Sequence, residues 1–244
     1  MNRWLLYTVC LLVFFSHQAH PENINLITLD VKPWASYDED AKRFVGVFPD
    51  FIREVERRTG YGIDISLSPF LFERVNRELD MGRQDCKVFI LDEKRESIIV
   101  VGDSVFDLPM GVVPKKELKL VDRKSLKGVK ISTLKPLAKN GKFMDDESLY
   151  RVFDSSYSVG LKKLARGRVD AVAGAIPTIM FLAKNKGIGD AVGEPLIFNY
   201  EKIYFQCSKD SKKINDIENI SKVIEQMRAE GVLVKISNEN HWRK

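Results

Sequence analysis

The chain has 244 residues, 44% of them hydrophobic and 30% charged, which fits an ordinary soluble protein of one large or two small domains. Its 39 basic and 34 acidic residues mix along the same faces, as in Arg53-Glu54-Val55-Glu56-Arg57-Arg58, so no nucleic-acid footprint is present and no nucleic-acid partner is expected. The histidines are His17, His20 and His241, which excludes histidine triads and histidine zinc sites, and two distant cysteines without a CxxC disfavour a thiolate metal site. No cofactor is expected either, because no Gly-rich phosphate loop follows a strand.

At the N-terminus Arg3 precedes the apolar run Trp4–Phe15, and Ser16, Gln18 and Ala19 follow it. A helix of that length rises only ~18 Å, short of a ~30 Å hydrocarbon core. Residues 1–19 therefore read as a secretory signal peptide cleaved near Ala19, with an uncleaved anchor as the alternative. Export leaves Cys86 and Cys207 in an oxidising compartment. A disulfide between them and two buried free thiols are both compatible with their apolar, strand-like surroundings.

In chain order, Asn25–Leu29 reads as a strand and Asp30–Trp34 as a loop. Phe48, Phe51, Ile52 and Val55 then recur at helical spacing, with Gly60 as the stop. Ile63–Leu67 alternates like a strand, and Ser68-Pro69 is expected to open the helix carrying Val75 and Leu79. Lys87–Leu91 is the next strand, followed by a charged turn at 92–95. Two extended runs, Ile98–Val101 and Met110–Val113, are expected on either side of Gly102–Pro109. Beyond Ser125 come a turn at 126–128, the strand Val129–Leu134, a helix opened by Pro136 and the strand 150–153. Near the end, Lys202–Gln206 is a strand, Ile217–Met227 an amphipathic helix closed by Gly231, and Val234 and Ile236 a final turn.

The stretch Gly160–Leu182 organises the rest. It reads as a helix ending at Gly167, a buried strand Val169–Ala173, a tight turn at Gly174-Ala175 and a new helix with Pro177 in its first turn. Ligands of open α/β sheets sit beyond the carboxyl ends of strands, near helix N-termini, where Gly174 and Ala175 would lie. The pattern has an echo: Leu79-x-x-Gly82-Arg83-x-Asp85 matches Leu164-x-x-Gly167-Arg168-x-Asp170, each followed by a strand. A second echo pairs Leu26–Pro33 with Lys130–Pro136, in the same order. Two similar α/β lobes account for both; two generic helix–Gly–strand junctions are the alternative.

Several landmarks in this order resemble the periplasmic solute-binding proteins of family 3, the amino-acid type of ABC-transporter receptors. They are Gly46–Phe51, Glu93-Lys94-Arg95 with Ser104-Val105-Phe106, Leu126–Ile131, Gly167–Ala171 and Glu230–Ile236. The resemblance implies an α/β fold of the periplasmic binding protein-like type II. Two lobes, residues 22–109 plus 199–244 and residues 110–198, would be joined by two hinge crossings with a ligand cleft between them. It also implies a monomeric receptor without catalysis, partnered by a permease or a sensor protein of the inner membrane. An orphan sensory receptor and a periplasmic dehydratase are the rival readings on the same scaffold.

By the same resemblance Arg95 would clamp a ligand carboxylate with its guanidinium fork. Two departures bear on the ligand. Phe89-Ile90-Leu91 replaces the family's hydroxyl-rich run, and the acid that would hold an α-ammonium falls at or near Ala175. Arg95, Lys32 and Lys135 near Trp34 and Phe89 suit an anionic or amino-acid-like guest with an apolar body, and Thr133, Ser156 and Ala175 complete the expected binding set.

Overall fold

A computed structural model describes residues 23–69, 72–134, 146, 148–213 and 215–239. The expected leader, the helix opened by Pro136, and Lys135 lie outside the described residues.

The first strand, β1 (Ile24–Leu29), leads through a small hairpin, β2 (Ser36–Asp38) and β3 (Arg43–Val45), into helix α1 (Val47–Thr59). α1 buries Phe48, Phe51, Ile52 and Val55 and ends on Gly60 in the left-handed conformation, as its spacing predicts. β4 (Ile63–Ser68), α2 (Phe72–Asp80) and β5 (Cys86–Ile90) follow. Ser68 is not the cap expected of it: it ends β4, paired with Leu29, and its carbonyl accepts from the Asp30 amide.

Next comes β6 (Ile99–Pro114), one unbroken strand where two were expected. Gly102 and Pro109 do not interrupt it. A Cβ at Gly102 would meet Ser221 Oγ at 2.8 Å, so the glycine serves close helix packing. Pro109 lies just ahead of Met110, where pairing with the neighbouring strand β9 (Ala171–Ala175) begins.

The second half runs β7 (Lys130–Leu134), β8 (Tyr150–Asp154), α3 (Tyr157–Ala165), β9 and α4 (Ile176–Asn185). β9 sits two residues later than expected, so Gly174 and Ala175 close the strand, Gly174 paired with Gly111. Then β10 (Leu196–Ser208) leads to α5 (Asp216–Ala229) and α6 (Val232–Glu239), the last a helix where a turn was expected.

The sheet order is β4-β1-β5-β10-β6-β9-β7-β8. β4, β1 and β5 are parallel and meet β10 antiparallel through Ile203–Cys207. β8, β7 and β9 are likewise parallel and meet β6 antiparallel through Met110–Pro114. Each half thus repeats the other, and hydrogen bonding is continuous because β6 and β10 run through both as one antiparallel ribbon. The pairing along that ribbon shifts between Ile197 and Asn199, between Ile203 and Tyr204, and between Tyr204 and Gln206.

The sequence echo has a physical basis. In the first half the Asp85 amide donates to Asn25 O, while its carboxylate accepts from the Asn25 amide at 2.9 Å. In the second half Asp170 does the same to Lys130, its carboxylate 3.1 Å from that amide. Each aspartate clips the start of its own first parallel strand. Cys86 and Cys207, directly opposed on β5 and β10, are joined by a disulfide.

Candidate functional site

Between the two halves lies a cavity of about 50 Å³. Its first wall comes from the carboxyl ends of the parallel strands: Leu29 ending β1 with Val31 just after it, and Phe89 and Ile90 ending β5. Trp34 and Phe48 close that side, their ring centroids 5.3 Å apart. The crossing ribbon supplies Leu108, Met110 and Ile203 as a floor. The opposite wall is Tyr157 at the start of α3, with Ala175 and Thr178 at the start of α4.

Among the described residues, none that lines the cavity is charged. The polar groups among them bond to each other: Trp34 Nε1–H donates to Thr178 Oγ1 at 3.1 Å, and the Ala175 amide donates to Tyr157 Oη at 3.0 Å. The first bond spans the gap between halves; the second caps the helix start that would otherwise offer a free N–H. Burial pushes the Tyr157 phenol up, so the ring stays neutral. Gly174 makes room for it. With φ at 147°, a Cβ there would lie 2.2 Å from Tyr157 Oη.

Of the expected set, the structure brings together Trp34, Phe89 and Ala175. Ser156 stands beside them as the N-cap of α3, its hydroxyl accepting from the Val159 amide. Thr133 is buried at the end of β7, and its Oγ1 has no partner among the described residues. Lys32 is exposed. Arg95 is turned to α2, where its guanidinium holds Asp80 in a two-pronged ion pair, one prong at 3.1 Å. Arg95 ends a short 3-10 turn, Glu93–Arg95, between β5 and β6, and its Nε is buried without a partner among the described residues. Tyr157, Thr178, Leu108 and Met110 were not singled out from sequence. Tyr157 follows the capping Ser156 and Thr178 follows Pro177, so the helix starts were the only signal available.

Beneath α2, away from the cavity, Lys87 is 1% exposed, and its ammonium donates to Asn76 Oδ1 at 2.8 Å. Burial, and after it the charge of Arg95, pushes Lys87 down to about 8. Among the described residues no group of three or more His, Cys, Asp or Glu side chains could hold a metal ion.

No protein-family model matches the chain. The probable amino-acid-binding protein YxeM of Bacillus subtilis (strain 168) is 25% identical over 203 residues, covering 80% of this chain and 76% of the relative. An ancestral arginine-binding protein bound to arginine superposes with a TM-score of 0.70 at 20% identity, over 91% of this chain and 99% of that one. The fold is that of the type II periplasmic binding proteins. A histidine kinase sensor domain with similarity to periplasmic binding proteins shares it, with a TM-score of 0.71 at 15% identity over 91% of this chain and 97% of that one. The resemblance to family 3 is borne out by the name of the relative and by the arginine-binding neighbour.

Proposed function

We propose that this protein is an exported receptor that captures a small organic solute by closing two lobes on it, residues 22–109 with 199–244 and residues 110–198. The observation that carries this reading is the apolar-lined cavity at the carboxyl ends of both parallel strand sets, with Trp34 of one half bonded to Thr178 of the other. YxeM's name makes amino acids the first ligands to test. A non-catalytic role is supported by the relative's name, that of a binding protein, and by a lining that among the described residues holds no carboxylate, lysine, histidine or cysteine. Location in the periplasm is supported by the leader-like residues 1–19 and by the Cys86–Cys207 bridge. The membrane partner is a permease of the ABC type, or a signalling protein as in the sensor-domain neighbour.

A thermal-shift panel of amino acids, small carboxylates and their uncharged analogues tests the reading. A ligand at 100 times its dissociation constant should stabilise the protein by about 2.7 kcal/mol. Turnover of a carboxylated substrate, with no ligand shifting the melting point, overturns it.

A further inference from the structure

We propose that the end of the second half remote from the cavity is a docking surface for the anionic headgroups of a phospholipid bilayer. Charge is divided unevenly along the chain. Residues 110–198 hold 17 basic and 9 acidic side chains, an excess of eight positive charges. Residues 22–109 with 199–244 hold 21 basic and 25 acidic side chains, an excess of four negative charges. The first count includes the acids already ion-paired there, Asp146, Asp154 and Asp170. A molecule so divided is drawn to an anionic surface with its second half leading.

The fold gathers much of that excess at one end. Residues 115–129 join β6 to β7 at the amino ends of the second half's parallel strands, with Lys116, Lys119, Lys124 and Lys127 exposed. Arg166 and Arg168 are exposed in the turn just before β9, at the same end. Asp170 ties loop and turn together. Its carboxylate accepts from Lys115 Nζ at 2.6 Å where the loop begins, and from the Lys130 amide at 3.1 Å where it returns.

Two features favour a lipid surface over an acidic protein. Lysine supplies four of these six cations, and an ammonium on a flexible stem acts as a point charge, suited to mobile headgroups rather than to one fixed geometry. Between Lys119 and Lys124, Val121 stands 80% exposed, an apolar tip for the boundary of headgroups and acyl chains. Tyr150, exposed at the start of β8 with Lys130 Nζ 5.5 Å from its ring centroid, adds an aromatic of the kind enriched at membrane interfaces. The cavity lies at the opposite, carboxyl ends of the same strands, so docking here leaves it uncovered.

Vesicle co-sedimentation tests this with the chain lacking residues 1–19, at about 50 mM salt, where charges act over more than ~10 Å. Vesicles of phosphatidylcholine with roughly a third phosphatidylglycerol should bind at least about tenfold more tightly than phosphatidylcholine alone, and about 1 M salt should abolish the difference. Changing Lys119, Lys124 and Lys127 together to Glu should weaken that binding at least about tenfold. The same change at Lys94, Lys202 and Lys212, exposed in the first half, alters net charge equally and should weaken it by no more than about threefold. Val121→Trp should shift its emission to the blue on anionic vesicles and not on neutral ones. Equal binding to both vesicles, equal losses in the two triple variants, or an unmoved Trp emission overturns the proposal. Capture of poly-glutamate while anionic vesicles are ignored also overturns it, in favour of an acidic polypeptide partner. None of these failures touches the receptor reading, which the ligand panel decides.

Discussion

Trp34 Nε1 reaches across the gap between the two halves to Thr178 Oγ1, 144 positions away in sequence. The bond lies inside a continuous apolar cluster that includes Phe48 and Phe106 of one half and Tyr157, Ala175 and Ile176 of the other. In the proposed lobe closure this bond and the cluster around it hold the two halves together, and a guest competes with that hold.

Thr178→Val removes the acceptor while keeping the shape, at a cost to the closed form of about 1 kcal/mol or more. The ligand-free variant should show a larger radius of gyration in small-angle scattering than the parent. Equal radii would show that the bond does not govern closure.

Cys86–Cys207 closes a loop of 121 positions and ties β10 to β5. Replacing both cysteines by alanine should cost about 2–5 kcal/mol, read as a lower denaturant midpoint. Reductant should move the parent toward the variant and leave the variant unchanged. A midpoint insensitive to both would mean that the bridge contributes nothing to stability.

Lys87 makes stability depend on alkaline pH in an uncommon direction. Its folded value, about 8, lies below the ordinary 10.5, so between these the unfolded chain holds the extra proton. Stability from this group is lowest below pH 8 and rises as pH climbs to 10.5, by on the order of 3 kcal/mol. Lys87→Met lacks that rise. Its stability advantage over the parent, measured by urea unfolding, should be large at pH 7 and mostly gone at pH 10; a constant difference would contradict the assignment.

Gly174→Ala places a methyl on the Tyr157 hydroxyl and strains a backbone that only glycine adopts readily, so it should cost about 3 kcal/mol or more. Tyr157→Ala in the same chain removes the clash. The double variant should be less destabilised than the sum of the two single changes, measured as denaturant midpoints.

Much of this was legible in the residues. The α1 spacing, the Gly60 and Gly167 stops, the Ser156 cap and the two Gly-Arg-x-Asp echoes are local signals, and each maps onto a local contact. The continuity of β6 was not legible, because Gly102 and Pro109 weaken a strand locally, and only the packing of α5 and the end of β9 at Ala175, opposite Met110, explain them. The binding set was partly legible for the same reason. Phe89 and Ala175 follow from their places at strand ends and Trp34 from the loop after β1, whereas nothing in the sequence marks that Arg95 turns to Asp80.

The slipped pairing along the ribbon of β6 and β10 has a mechanical meaning. A ladder that loses step three times between Ile197 and Gln206 cannot bend as a uniform spring; compliance gathers where rungs are missing. In the proposed lobe closure the pivot falls at these shifts of strand register, within the sheet itself, and needs no floppy connector.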